Sequence, residues 1–82
     1  MILKDYVKIR EEKFGTIIFE TLKEKVFVTN EIGKRILNML LSGNTVEEII
    51  KDFKSSYDAN ENEIEKDIRD FISELKDKGI II

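Results

Sequence analysis

The 82-residue chain contains no cysteine, no histidine and no proline, and only four glycines. Without cysteine there is no disulfide staple and no thiol nucleophile. Without histidine the usual zinc sites and imidazole acid–base chemistry are excluded as well. Carboxylates remain as ligands for a hard cation, but none has the spacing of a calcium loop, and no glycine-rich nucleotide-binding loop is present. No apolar run approaches the roughly 20 residues of a membrane span. Met1-Ile2-Leu3-Lys4 does not resemble a secretion signal, so the expected location is cytoplasmic. The missing proline and scarce glycine leave little linker, and no repeat or low-complexity stretch is visible. Residues 1–82 therefore read as one domain with one modest core, burying only roughly 60% of the unfolded chain's surface.

What is present is charge of both signs. Charged residues make up 38% of the chain, with a net charge of −3, which gives no steering field toward nucleic acid or anionic lipid.

The chain is organised around Lys25-Val26-Phe27-Val28-Thr29-Asn30-Glu31-Ile32-Gly33, where a short apolar strand runs into a helix start. Val26, Phe27 and Val28 favour a strand. Asn30 suits an N-cap, and Glu31 suits the positive end of the helix that follows. If this strand is the last of its sheet, one side of its backbone has no partner, and no interior charge protects that edge. Gly33 sits in the first helical turn, where glycine costs up to about 1 kcal/mol relative to alanine. Either another backbone approaches closely there, or a helix start simply tolerates it.

Upstream, Tyr6-Val7-Lys8-Ile9-Arg10 alternates, with Val7 and Ile9 facing one way. Glu11-Glu12-Lys13 reads as a polar turn. Gly15 opens Thr16-Ile17-Ile18-Phe19-Glu20, apolar on both faces as a central strand would be. Thr21-Leu22-Lys23-Glu24 connects to the Val26 strand, with no Asn-Gly or Asp-Gly signal to set the turn type. The first third is thus predicted to be a three-stranded antiparallel meander.

The remainder reads as three helices. The first runs from Glu31 to about Leu41, with Ile32, Ile36, Leu37 and Leu40 at helical spacing, and stops at Ser42-Gly43. Thr45-Val46-Glu47-Glu48 is a capping box. The second helix buries Val46, Ile49, Ile50 and Phe53 and fades near Ser55-Ser56-Tyr57. Asn60 with Glu63 gives a box-like start to the third, which ends at Gly79. Ile80-Ile81-Ile82 either packs back on the core or pairs briefly with the sheet. The fold class is α+β, three strands followed by three helices in a winged helix-turn-helix-like order.

Nothing in this pattern resembles an active site, and no cofactor is implied. The third-helix carboxylates Glu61, Glu63, Glu65, Asp67, Asp70, Glu74 and Asp77 are interleaved with Lys66, Arg69, Lys76 and Lys78, as on a solvated face. A winged helix-turn-helix that reads DNA is the alternative function. A recognition helix with that net charge of −3 would be repelled by phosphate, which argues against nucleic acid as a partner. A third alternative is a structural subunit docking through the open strand edge.

Several stretches carry a family resemblance. These are Lys13-Phe14-Gly15, Val26 to Gly33 with Ile36-Leu37, Gly43-Asn44-Thr45-Val46-Glu47-Glu48-Ile49-Ile50, and Phe71-Ile72-Ser73-Glu74-Leu75 leading to Lys78-Gly79-Ile80. In these the chain resembles the PqqD-like proteins, or RiPP recognition elements, over nearly its whole length. The Asn-Glu-(apolar)-Gly step is the most specific piece. Where that family often has Leu before the Asn-Glu pair, this chain has Thr29. The resemblance implies a non-enzymatic peptide chaperone. Such a protein binds the leader segment of a ribosomally made precursor and presents it to a modifying enzyme, often a radical S-adenosylmethionine enzyme. It further implies that the leader adds as a strand on strand three, at Val26, Phe27 and Val28, in a groove bordered by helix three.

Which margin of helix three lines that groove is read from the residues. The apolar stripe is taken to centre on Ile64, Ile68, Phe71 and Leu75, at about 100° per residue. Ile72 lies at one margin with Glu65, Lys76 and Arg69 further round. The opposite margin holds Lys78, Asp67, Glu74 and Asp70. A peptide groove needs an apolar floor with a few polar groups at its rim. The expectation is therefore that Ile72 contacts the peptide while Arg69 and Lys76, beside Glu65, meet leader carboxylates.

Overall fold

The computed structural model describes residues 3–58 and 60–82; the reading of Met1 and Ile2 as part of a non-signal start lies outside them. The element order is β1 (Val7–Glu12), β2 (Gly15–Glu20), β3 (Lys25–Asn30), α1 (Glu31–Leu41), α2 (Val46–Ser56) and α3 (Glu61–Asp77). The strands form one antiparallel sheet in the order β1-β2-β3, so β3 is an edge.

Strand β1 runs through Glu11 and Glu12, which the sequence placed in a turn. The register pairs Glu11 with Thr16 and Glu12 with Gly15, leaving only Lys13 and Phe14 to turn the chain. Cross-strand partners hold the two carboxylates in extended backbone despite their low strand preference. The β2–β3 connection has a device the sequence concealed. Glu20 is buried, and its carboxylate accepts hydrogen bonds from the backbone N–H of Leu22 (2.9 Å) and of Lys23 (3.1 Å). That satisfies a buried charge with turn donors in place of a glycine-based turn.

Only one face of the sheet is covered by helices. Val7, Ile9, Thr16, Ile18, Phe27 and Thr29 share the inner face by register, and Ile18 is fully buried there. Ile17 and Phe19 point the other way and remain half-buried, with the Arg10 guanidinium 5.9 Å from the Phe19 ring centroid. The central position expected of β2 is present, but the second covering layer is not.

The helices begin and end where local chemistry directs. Asn30 Oδ1 accepts from the Gly33 N–H at 2.9 Å, capping α1. Thr45 and Glu48 exchange bonds of 3.1 Å and 2.8 Å in a complete capping box. At α3 the cap is simpler: Asn60 Oδ1 accepts from both Asn62 and Glu63 N–H, and no return bond from the Glu63 side chain forms. Gly43 and Gly79 follow α1 and α3 with φ of 96° and 71°, the left-handed region that favours glycine.

The core is a single cluster that joins Val7 and Ile18 of the sheet to Ile36, Leu37 and Leu40 of α1, Ile49, Ile50 and Phe53 of α2, and Ile68, Ile72 and Leu75 of α3. Ile80 and Ile81 are buried with them. The chain end also pairs with the segment before β1, through a Leu3–Ile81 bridge and a Lys4 N–H to Ile80 carbonyl bond of 3.1 Å. The pairing is with that segment and not with the three-stranded sheet. No described helix is long and apolar enough to cross a membrane.

Candidate functional site

The site begins with the backbone of β3. In an antiparallel pair, residues alternate between those that exchange hydrogen bonds with the neighbour and those whose N–H and C=O point away. The Thr16 N–H points toward β3, donating to Thr29 Oγ1 at 3.0 Å, and the Thr21 N–H points the other way, donating to the Tyr6 carbonyl at 2.9 Å. With Thr16 opposite Thr29 and Ile18 opposite Phe27, the backbone groups of Phe27 and Thr29 turn inward to β2. Those of Val26 and Val28 therefore face outward along the open edge. Their side chains are 59% and 64% exposed.

Beside this edge lies a cavity of 530 Å³ whose walls come from every helix. Strand β3 contributes Val28, Thr29 and Asn30. Helix α1 contributes Ile32, Gly33 and Ile36; α2 contributes Phe53 and its C-cap Tyr57; α3 presents Ile64, Asp67, Ile68 and Phe71. A narrower hollow of 70 Å³ continues toward the middle of β3, between Phe27, Val28 and Thr29 on one side and Phe71, Glu74, Leu75 and Lys78 on the other. Together they make a groove between β3 and α3, apolar in its floor.

Local packing explains why the groove stays open. Phe71 leans across to α1, where a Cβ on Gly33 would stand 3.2 Å from Phe71 Cζ and 2.8 Å from Thr29 Cβ. The close approach at Gly33 is thus by two side chains, not by a backbone. At the far end, Phe53 and Tyr57 stack with centroids 5.1 Å apart and planes 11° from parallel. The Arg35 guanidinium lies 4.6 Å from the Phe53 centroid and 5.5 Å from that of Tyr57. It also pairs with Asp52 and bonds Ser56 Oγ at 3.2 Å. Desolvation opposes the Arg35 charge, but the bonds to Asp52 and Tyr57 outweigh it and leave the pKa raised. At the narrow end Lys78 Nζ sits 4.9 Å from the Phe27 centroid and 3.3 Å from Glu74 Oε1. Among the described residues, no group of three or more carboxylates is placed to hold a metal ion.

The residues singled out from the sequence fall on two sides of α3. Val26, Phe27 and Val28 lie on the open edge of β3. Ile72, Arg69, Glu65 and Lys76 do not face it. Ile72 is only 4% exposed, part of the core. Arg69 and Lys76 flank it in a shallow hollow with Val46 and Ser73, on the side of α3 that faces α2. Glu65 bonds Arg69 at 3.1 Å and lies 3.9 Å from Lys54 of α2, while Arg69 also reaches Glu47 of α2 at 3.8 Å. The expected groove therefore joined two surfaces that the fold separates, and the α3 wall facing β3 is Asp67, Glu74 and Lys78 of the opposite margin together with Phe71 of the stripe itself. The cause is a rotation of α3. Its buried line is Ile68, Ile72 and Leu75, about 40° round from the assumed centre at 100° per residue. That turn leaves Ile64 and Phe71 half-buried at the groove. Ile32, which shares the helical spacing of Ile36, Leu37 and Leu40, is 47% exposed and lines the cavity. Tyr57, read only as the fading end of the second helix, and Asp67, read as part of the opposite margin, were not expected at the site. The sequence signal for Asp67 was that it shares a flank with Phe71 and Ile64; for Tyr57 there was none.

Residues 15–81 match the family model of coenzyme PQQ synthesis protein D (PqqD). No curated protein matches the chain. The fold is similar to that of TbiB1, solved in complex with the TbiA(beta) leader peptide: 25% identity, TM-score 0.87, covering 98% of this chain and 93% of that one. It is also similar to lasso peptide synthetase B1 complexed with the leader peptide, at 19% identity and TM-score 0.88, covering 96% of this chain and 93% of that one. The second likeness bears on the fold alone. With two strands and all three helices inside the matched segment, the chain belongs to the PqqD family.

Proposed function

We propose that this protein binds the leader segment of a ribosomally synthesised precursor peptide, as a fourth strand on β3, and presents it to a modifying enzyme. The observation that carries this reading is the outward-facing backbone of Val26 and Val28 beside a 530 Å³ apolar cavity. Main-chain hydrogen bonds to an added strand contribute about 0.5–1.5 kcal/mol each and are blind to sequence. Apolar side chains entering the cavity, at about 1.5–3 kcal/mol each when fully buried, supply the discrimination. In an added strand alternate residues face the same way. One bulky side chain fits the wide cavity, and a smaller one two residues along fits the narrow hollow.

The protein acts as a carrier and not as a catalyst in this reading. Its enzyme partner is a peptide-modifying enzyme. A radical S-adenosylmethionine enzyme is what the family resemblance implies. The second structural neighbour is named as part of a lasso peptide synthetase.

The test is a titration of isotope-labelled protein with synthetic peptides covering short reading frames from the same locus. Amide shifts should concentrate at Val26, Val28, Gly33 and Phe71. Saturable binding with shifts confined to the α2-facing flank around Arg69 and Lys76 would reject strand addition on β3.

A further inference from the structure

We infer that the peptide held in this groove carries a lysine or arginine seated against Asp67. This rests on the peptide-binding reading above and deepens it by assigning the sign of the ligand's charge and its place in the groove.

Asp67 is the only formally charged side chain among the described residues that line the wide cavity; its companions are apolar side chains, Gly33, Thr29, Asn30 and the Tyr57 phenol. Other carboxylates on this flank of α3 are already engaged. Asp70 pairs with Lys66 at 3.1 Å and Glu74 with Lys78 at 3.3 Å. The Asp67 carboxylate makes no hydrogen bond or ion pair with any described side chain; its chain neighbour Lys66 feels its charge but bonds Asp70. The narrow end presents a neutralised Glu74–Lys78 pair, with Lys78 held over Phe27. The Arg35 guanidinium behind Phe53 and Tyr57 is likewise paired, with Asp52, so the charge left for a ligand at the wide end is that of Asp67, and its sign is negative.

The surroundings select a long cation over a small one. On the helix, Asp67 lies one turn from Ile64 and Phe71 and next to Ile68, so its carboxylate stands at the rim of an apolar wall. A lysine or arginine lays its methylene stem along such a wall and keeps its charged head at the rim. Aspartate or glutamate at the same place in the peptide meets a like charge, which weakens binding and excludes that register. This reverses the charge assignment drawn from the sequence, because the basic pair Arg69 and Lys76 lies on the other side of α3.

Selection from a random 12-residue phage-displayed peptide library tests the inference, with wild-type protein, Asp67→Asn and Asp67→Lys as separate baits. Wild type should enrich peptides with a pair of apolar residues two apart and a Lys or Arg at a constant offset from them. Asp67→Lys should keep the apolar pair and enrich Asp or Glu at that offset, and Asp67→Asn should show no charge preference there. For a synthetic copy of the most enriched peptide, replacing the basic residue by glutamate should weaken binding to wild type by about tenfold, and Asp67→Lys should recover most of that loss. The same charge at the offset for wild type and Asp67→Lys would overturn the inference while leaving strand addition standing. Enriched peptides that lack the apolar pair and leave the Val26 and Val28 amides unshifted would remove strand addition and the Asp67 contact together.

Discussion

Phe71 of α3 closes over Gly33 of α1 so tightly that a methyl group on Gly33 would lie 3.2 Å from the ring and 2.8 Å from Thr29 Cβ. Glycine is a poor helix residue in isolation, so an ordinary Gly→Ala change in a first turn would be neutral or mildly stabilising. Here the sign inverts. Gly33→Ala should destabilise the fold by about 1–3 kcal/mol through overpacking, read as a shift of the urea midpoint without a change in slope. Combining it with Phe71→Leu should recover part of that loss, because the ring contact is relieved and the Thr29 contact is not.

Proline along β3 separates the strand's two sides. Val28→Pro removes an N–H that faces the open edge, so the protein should stay folded while affinity for a strand-adding peptide drops by about tenfold. Phe27→Pro removes an N–H that faces β2 and the ring beneath Lys78, at a cost of about 3 kcal/mol or more, and should unfold the domain. Circular dichroism melts of both variants, with peptide anisotropy on the folded one, distinguish the cases. Equal behaviour of the two would mean that the outward set is assigned to the wrong residues.

Charge reversal at Arg69 and Lys76 should leave peptide affinity within about twofold of wild type, since both lie on the α2-facing flank. The double variant Arg69→Glu, Lys76→Glu should lower the melting temperature slightly by breaking the Arg69 contacts with Glu65 and Glu47. A large loss of affinity at unchanged stability would relocate the groove.

Acid should weaken α2 through its cap. The Thr45 N–H and hydroxyl hold the Glu48 pKa below its ordinary 4.5 in the folded chain. A carboxyl with a lowered folded pKa adds stability above its unfolded pKa and loses it as pH falls through the folded one. Wild type should therefore melt above Glu48→Gln at neutral pH, and the gap should close as pH drops below 4.5. A gap independent of pH would show that the hydrogen bond, not the charge, makes the difference.

Duplex DNA should not bind usefully at physiological salt. Helix α3, with its flanking Asn60 and Lys78, carries seven acidic and four basic side chains and offers almost no counterion release. Fluorescence anisotropy with a random duplex decides this. Submicromolar, salt-sensitive binding would reopen the transcription-factor alternative.

The amino-acid sequence by itself determined the order of elements, the open edge at Val26–Val28 and nearly every helix boundary. Those features rest on bonds that span three or four residues, such as Asn30 to Gly33 and Thr45 to Glu48, or on alternation along a single strand. In the β2–β3 connection the bonds are as short, from Leu22 and Lys23 N–H to the Glu20 carboxylate, but they depend on that carboxylate being buried, which no local residue type announced. Only the tertiary structure decided which margin of α3 faces β3. A helical stripe of five apolar residues is compatible with several rotations about the helix axis. The choice among them is made by α2, whose Ile49, Ile50 and Phe53 enter the core against Ile68 and Ile72, and by Gly33, which lets Phe71 approach α1. These are contacts between residues far apart in the chain. They turned the acidic flank with Asp67 toward the groove and the basic pair, Arg69 and Lys76, away from it.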